Sequence, residues 1–468
     1  MEISPVTREF IRTHRTDDVR DLALHAKPGR GMDGDMAFDL PFALDQIDGW
    51  QRARTKLPEW ADCDDIIYPP HLSMEQCSSQ ITAQYKADLA ARLIGASTDT
   101  DADAPTDLVD LTGGFGVDFS YMARSFDRAV YVERQEHLCD LAEHNTTALG
   151  LSHVEIVNAD SAEYLHNQLS PTAPVTMIFI DPARRDAHGG RTVAIADCTP
   201  DVIALEPLLL ARARYVMIKL SPMLDWRKAV HDLGGAGVVR EVHIVSTGNE
   251  CKELLIVLNR QHQTGDSQTD SLHADSLHAD SRKTADSPHT DTIRMHCVND
   301  GEIIDYAIDA NGEIVESSEI TAPAEIATPA EITASQTVWR YLYEPNASIM
   351  KAGCFTLIAE RYGIRQIGPN SHLFVSTGPD PIPDFPGRTF AVDAVTGMGK
   401  RELRAALNGI THANIAVRNF PMTVAALRKK LKLKDGGDTY LFATTDAERR
   451  HVLLITRKTE QTVTRRIG

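Results

Sequence analysis

Residues 107–118, Asp-Leu-Val-Asp-Leu-Thr-Gly-Gly-Phe-Gly-Val-Asp, narrow the possible folds more than any other stretch. Leu108, Val109 and Leu111 read as a buried strand. The glycines read as a turn in which the backbone bends sharply and approaches a ligand without a Cβ in the way. Val117, Tyr121, Met122 and Phe126 then recur at helical spacing. A strand, a glycine loop and a helix start make a ligand cradle at the carboxyl end of a parallel strand. Three more strand-like runs follow. Ala129–Val132 ends in Glu133, His153–Val157 runs into Asn158, Asp160 and Ser161, and Val175–Ile180 ends in Asp181-Pro182-Ala183-Arg184-Arg185. An acidic residue about 20 residues past the loop suits a ribose diol. Four strands ending in polar groups put those groups along one sheet edge, where a doubly wound fold binds its ligand.

The sheet continues with Tyr215–Leu220. Val238–Ser246 and Leu254–Leu258 follow, with only Thr247 to Glu253 between them. That gap is too short for a helical crossover, so the last pair is antiparallel. The expected fold class is α/β, a doubly wound Rossmann-like sheet ending in an antiparallel strand pair, preceded by a helical region. In that region Ser73 and Gln76 fit a capping box, followed by a helix with Ile81, Tyr85, Leu89 and Leu93 at steps of four. Lys219, Ser221 and Pro222 end the Tyr215–Leu220 strand on the same edge and are candidates for lining the substrate side of the ligand.

Asp110 to Gly116, Glu133, Asp160 and Asp181-Pro182-Ala183-Arg184 resemble the successive motifs of class I S-adenosylmethionine-dependent methyltransferases, with Thr112 where the usual loop has its first glycine. Residues 68–79, 343–353 and 418–437 further resemble a bacterial methyltransferase family with a ferredoxin-like domain and a C-terminal THUMP-like domain. The resemblance implies S-adenosyl-L-methionine as cofactor, held by Asp110, Thr112, Gly113, Gly114, Gly116, Glu133, Asp160 and Ser161. It places Asp181, Pro182 and Arg184 at the transferred methyl, and makes Gln76, Ser79 and Lys86 candidates for closing over the cofactor. It divides the chain into a helical region (1–100), a methyltransferase domain (101–262), a linker (263–292), a ferredoxin-like domain (293–385) and a THUMP-like domain (386–468).

The net charge of −18 hides a split. Residues 264–334 carry 15 acidic residues against 3 Lys and Arg, whereas residues 400–468 carry 15 Lys and Arg against 6 acidic residues. A basic module at one end of an acidic chain points to a polyanionic partner there. With the THUMP resemblance this implies RNA, tRNA or rRNA, bound through Arg418, Arg428, Lys429, Lys430 and Lys432. Residues 263–292 repeat Asp-Ser-Leu-His-Ala and read as a linker without a core of its own. Nothing fixes a metal geometry for His273, His278 and His289.

The seven cysteines form no C-x-x-C pair, and no apolar run is long enough to span a bilayer. The expectation is a cytoplasmic protein without metal or membrane contact. The leading function is methylation of a base in structured RNA. A protein or small-molecule methyltransferase, a non-catalytic RNA-binding adaptor and, least of all, a nicotinamide-dependent oxidoreductase are the alternatives. Ala183 and Arg184 stand where amino-directed enzymes carry a stacking aromatic, so the target atom is open.

Overall fold

The computed structural model describes residues 3–25, 38–69, 71–95, 104–184, 195–259, 292–317 and 339–459. The linker repeats and Arg185 lie outside them, as do the side chains of Ser73 and Arg184. The chain divides into two compact units, 1–242 with 252–293 and 243–251 with 294–468.

The first unit opens with helices α1 (Pro5–His14), α2 (Val19–His25), α3 (Leu40–Lys56), α4 (Pro58–Ala61), α5 (His71–Gln76) and α6 (Gln80–Gly95). Strands and helices then alternate: β1 (Asp107–Asp110), α7 (Val117–Met122), β2 (Arg128–Glu133), α8 (Glu136–Ala148), β3 (Val154–Asn158), α9 (Ser161–Asn167) and β4 (Val175–Ile180). Two-residue strands β5 (Ala183–Arg184) and β6 (Cys198–Thr199) pair with each other. Helix α10 (Val202–Arg212), β7 (Ala213–Leu220), α11 (Trp226–Asp232), β8 (Val239–Thr247) and β9 (Glu250–Asn259) follow.

The strand order is β8-β9-β7-β4-β1-β2-β3. Strands β1 to β4 and β7 run parallel, and β9 runs antiparallel to β7. The antiparallel close follows from a two-residue turn at Gly248-Asn249, both at positive φ, a geometry that matches strand twist. The second closing strand is longer than the sequence suggests, beginning at Glu250, so Glu253 lies on β9 rather than in a loop. Leu108, Val109, Ile178 and Val216 are buried at the sheet centre. Each such side chain contributes about 1.5–3 kcal/mol.

The N-terminal helices pack onto this sheet unit. Asn145 of α8 exchanges hydrogen bonds with the Ile67 backbone (2.9 and 2.9 Å), and Trp60 meets Phe115 edge-on. Ser73 sits inside α5 rather than capping a helix. Helix α6 buries Thr82, Ala83, Lys86, Ala87, Leu89, Ala90 and Leu93. Of the four-step apolar series, Leu89 and Leu93 are buried, Tyr85 is half-buried and Ile81 is exposed, so the series lies along one border of the buried face rather than at its centre.

The second unit contains β10 (Ile293–Asn299), β11 (Glu302–Ile308) and β12 (Ile314–Ser317), the last two forming the hairpin expected at Asn311-Gly312. It continues with β13 (Tyr341–Pro345), α12 (Ala347–Ala352), α13 (Phe355–Tyr362), β14 (Arg365–Gln366), β15 (Phe374–Ser376), β16 (Gly387–Gly397), α14 (Lys400–Ala406), β17 (Asn414–Val417), α15 (Val424–Leu431), β18 (Thr439–Thr445) and β19 (His451–Lys458). The expected helix 349–362 is two helices, because Gly353 at φ 75° stops the first. Strands β13 to β19 share one seven-stranded sheet, ordered β14-β15-β13-β16-β19-β18-β17. Leu342, Phe390 and Phe442 pack on one side. Leu403 of α14 and Leu427 of α15 pack against Leu441, Leu453 and Ile455 on the other.

Candidate active site

Four parallel strands deliver Asp110, Glu133, Asp160 and Asp181 to the carboxyl edge of the first unit's sheet. The glycine loop is tied to its neighbours at every step. Asp110 Oδ1 accepts the Thr112 amide at 2.9 Å. Thr112 Oγ1 accepts the Asp181 amide at 2.6 Å, so the threonine that replaces a glycine joins the end of β1 to the end of β4. Glu133 is buried, and its carboxylate accepts the Gly114 amide at 3.1 Å and the Gln135 amide at 2.9 Å. Gly114 and Gly116 take positive φ of 55° and 81°, where a Cβ is strained. Gly113 is glycine for a packing reason, since an added Cβ would lie 2.1 Å from the Tyr131 ring.

Burial pushes the Asp110 carboxyl up to about 8, against the pull of the Thr112 amide. Asp160 caps α9 by accepting the Ala162 and Glu163 amides at 2.9 and 3.3 Å. Its side chain is nonetheless exposed, so the cap leaves oxygen lone pairs for another donor. Ser161 Oγ donates to the Leu111 carbonyl at 2.7 Å. Pro182 is buried, and Arg184 pairs through its backbone in β5. Two oxygen-rich strand ends flanking a glycine loop at positive φ fit a ligand with hydroxyl and ammonium donors, which is the chemistry of a nucleoside carrying an amino acid.

Behind Asp181 lies a network that the motifs alone do not assemble. Lys219 of β7 donates to Asp181 Oδ2 at 2.6 Å and to Asp118 Oδ2 at 3.0 Å. Asp118 of α7 also accepts from Ser78 at 2.8 Å and pairs with Lys86 of α6 at 3.2 Å. Lys86 grips both oxygens of Glu253 on β9 at 2.6 and 2.7 Å. Burial alone would raise the Asp118 carboxyl, but the Lys219 and Lys86 charges overcome it and hold it at about 2. Burial would lower Lys219, and Asp118, Asp181 and Glu253 instead drive it well above the usual lysine value. Lys86 and Lys219 are visible as candidates in the sequence; Asp118 and Glu253 are not. The available signal is a charge inside an apolar pattern: Lys219 interrupts Tyr-Val-Met-Ile-Lys-Leu, and Lys86 sits among alanines.

The basic residues of the second unit sort into two kinds. Arg418 pairs with buried Glu344 at 2.8 Å, and Arg388 shares that carboxylate. Arg428 donates to the Ala413 carbonyl at 2.9 Å and to Asp435. Lys429, Lys430 and Lys432 are exposed, as are Lys400, Arg401 and Arg404 of α14.

A parallel sheet closed by an antiparallel strand between its last two neighbours is the class I methyltransferase fold. In the second unit, a family model described as a ferredoxin-like domain matches residues 341–386 and one described as THUMP domain-like matches residues 387–458, so the chain carries both. A crystal structure from Porphyromonas gingivalis W83, described as a "putative methyltransferase", is 28% identical with a TM-score of 0.71, and the match covers 98% of this chain and all of that one. The N-terminal domain of human METTL16 in complex with SAH overlaps in part (14% identity, TM-score 0.35, 52% of this chain and 95% of that one). An rRNA methylase from Streptococcus thermophilus also overlaps in part (16%, TM-score 0.28, 39% and 98%). No curated protein matches the chain in sequence. Among the described residues no helix is long and apolar enough to cross a membrane.

Proposed function

We propose that the chain is an S-adenosyl-L-methionine-dependent methyltransferase acting on structured RNA, tRNA or rRNA, which its THUMP-like domain grips. The convergence of Asp110, Glu133, Asp160 and Asp181 on one sheet edge around the glycine loop carries the reading. Glu133 would accept from the ribose hydroxyls and Asp160 from the adenine amino group, and Asp110 would face the methionine ammonium. Gly113, Gly114 and Gly116 let the backbone pass beneath the cofactor, while Thr112 and Ser161 brace the loop. When bound, the cofactor supplies an electrophilic methyl on a sulfonium. Alignment is what the protein adds, and Asp181, backed by Pro182, orients the acceptor and takes its proton. Exposed Lys429, Lys430 and Lys432 meet RNA phosphates; Arg418 and Arg428 act from behind through their carboxylate partners.

The test is transfer of labelled methyl from S-adenosylmethionine to total RNA of a strain lacking the protein. Ribonuclease-sensitive label is expected. Label in protein or small molecules instead, with cofactor binding intact, would redirect the substrate.

A further inference from the structure

We propose that Lys219 and Asp181 form the acceptor-binding pair of this site, and that the acceptor atom is a hydroxyl oxygen, as on an RNA ribose, rather than a base nitrogen; this rests on the RNA methyltransferase reading above. The pair borders solvent: the Asp181 side chain is 40% exposed and that of Lys219 13%. Lys86, at 0%, and Glu253, at 4%, are sealed behind it. An ammonium has three hydrogens. Lys219 commits two to Asp181 and Asp118 and donates to no other described residue, so the third is available to an incoming group beside Asp181.

The lone pairs of the acceptor decide its class. A base nitrogen attacks with its single lone pair and has none left to accept from Lys219. A hydroxyl oxygen has two. It attacks with one, accepts from Lys219 with the other and donates its hydrogen to Asp181. The O–C bond forms as the C–S bond breaks, the bonding pair returns to sulfur, and the hydroxyl proton passes to the Asp181 carboxylate. The absence of an aromatic in Asp181-Pro182-Ala183-Arg184 agrees, because a ribose needs no stacking partner. Asp118, Lys86, Ser78 and Glu253 are positioning residues: α6, α7 and β9 each contribute to holding Lys219 beside Asp181.

The experiment methylates total RNA from a strain lacking the protein with labelled S-adenosylmethionine, then hydrolyses it in alkali. A methylated 2′-hydroxyl blocks cleavage of its own phosphodiester, so label in alkali-resistant dinucleotides is expected. Label in mononucleotides overturns the hydroxyl acceptor and leaves the RNA reading standing. No label in RNA, with S-adenosylhomocysteine binding intact by calorimetry, overturns the RNA reading and this proposal with it. In parallel, Lys219→Met is expected to lower transfer at least about 100-fold, with S-adenosylhomocysteine affinity within about threefold of the parent. Lys219→Arg, which keeps charge and donors if the methionine variant folds poorly, is expected to retain part of the rate. Parent-like transfer by Lys219→Met overturns the role of Lys219.

Discussion

Thr112 shows how a departure from a motif becomes informative once its partners are known. Its hydroxyl accepts the Asp181 amide, a hydrogen bond no glycine could make. Thr112→Val keeps the shape and removes the acceptor, leaving that N–H short of a partner at a cost of about 1–3 kcal/mol. Urea unfolding is expected to show the loss, together with slower methyl transfer, because Asp181 is no longer anchored. Asp110 carries a pH signature. Its folded value of about 8 exceeds the ordinary carboxylate value of 3.8. The stability it contributes is therefore full below pH 4 and lost as pH rises through about 8. Asp110→Asn should flatten the fall in stability across that window, where each unit of pH is worth at most about 1.4 kcal/mol. Asp118 has the opposite sign, its contribution present above pH 4 and lost toward about 2. Parallel pH profiles of wild type and Asp110→Asn would refute the assignment.

Elements are legible in the sequence even where a charge interrupts their period, as Lys219 does in β7, but the partner of that charge is not. Strands β1, β2 and β4 read directly because both faces are buried, and the antiparallel close reads from the short gap after Ser246. Glu133 and Asp181 are legible from their places at strand ends. The apolar series of α6 marks only one border of its buried face, which Leu89 and Leu93 join and Ile81 does not, because Lys86 looks polar in sequence and is sealed by two carboxylates in space. No local pattern announces a pairing between residue 86 and residue 253, since the partners meet only after the sheet has formed. That long-range pairing is testable by a double-mutant cycle. Lys86→Met alone leaves Glu253 buried without its cation and should cost about 3–5 kcal/mol. Adding Glu253→Gln should recover part of that, with a coupling of about 1–3 kcal/mol. Additive losses in urea melts would mean that the pair does not act as a unit.

At the scale of the whole molecule, charge is sorted by sequence and then again by structure. Fifteen Lys and Arg in residues 400–468 suggest one basic surface, yet Arg418 and Arg428 are bound to Glu344 and Asp435 while the lysines after Arg428 face solvent. The two kinds should answer differently. Arg418→Ala removes one of two cations from a buried carboxylate, so it should lower the stability of the second unit by about 1–3 kcal/mol and affect RNA only through folding. Lys429→Ala with Lys430→Ala should leave stability within about 0.5 kcal/mol. It should weaken RNA binding and reduce the slope of log affinity against log salt by about 2, one for each phosphate no longer neutralised. Truncation is the poorer experiment. Strand β16 pairs with β13 within one sheet, so deleting residues 387–459 would expose a bare sheet edge prone to aggregation. Filter binding across a salt series, with melting curves on the same preparations, separates the outcomes. An unchanged slope in the lysine pair would place the RNA-binding surface elsewhere, with Lys400, Arg401 and Arg404 of α14, exposed on the same side of the sheet as α15, the next residues to change.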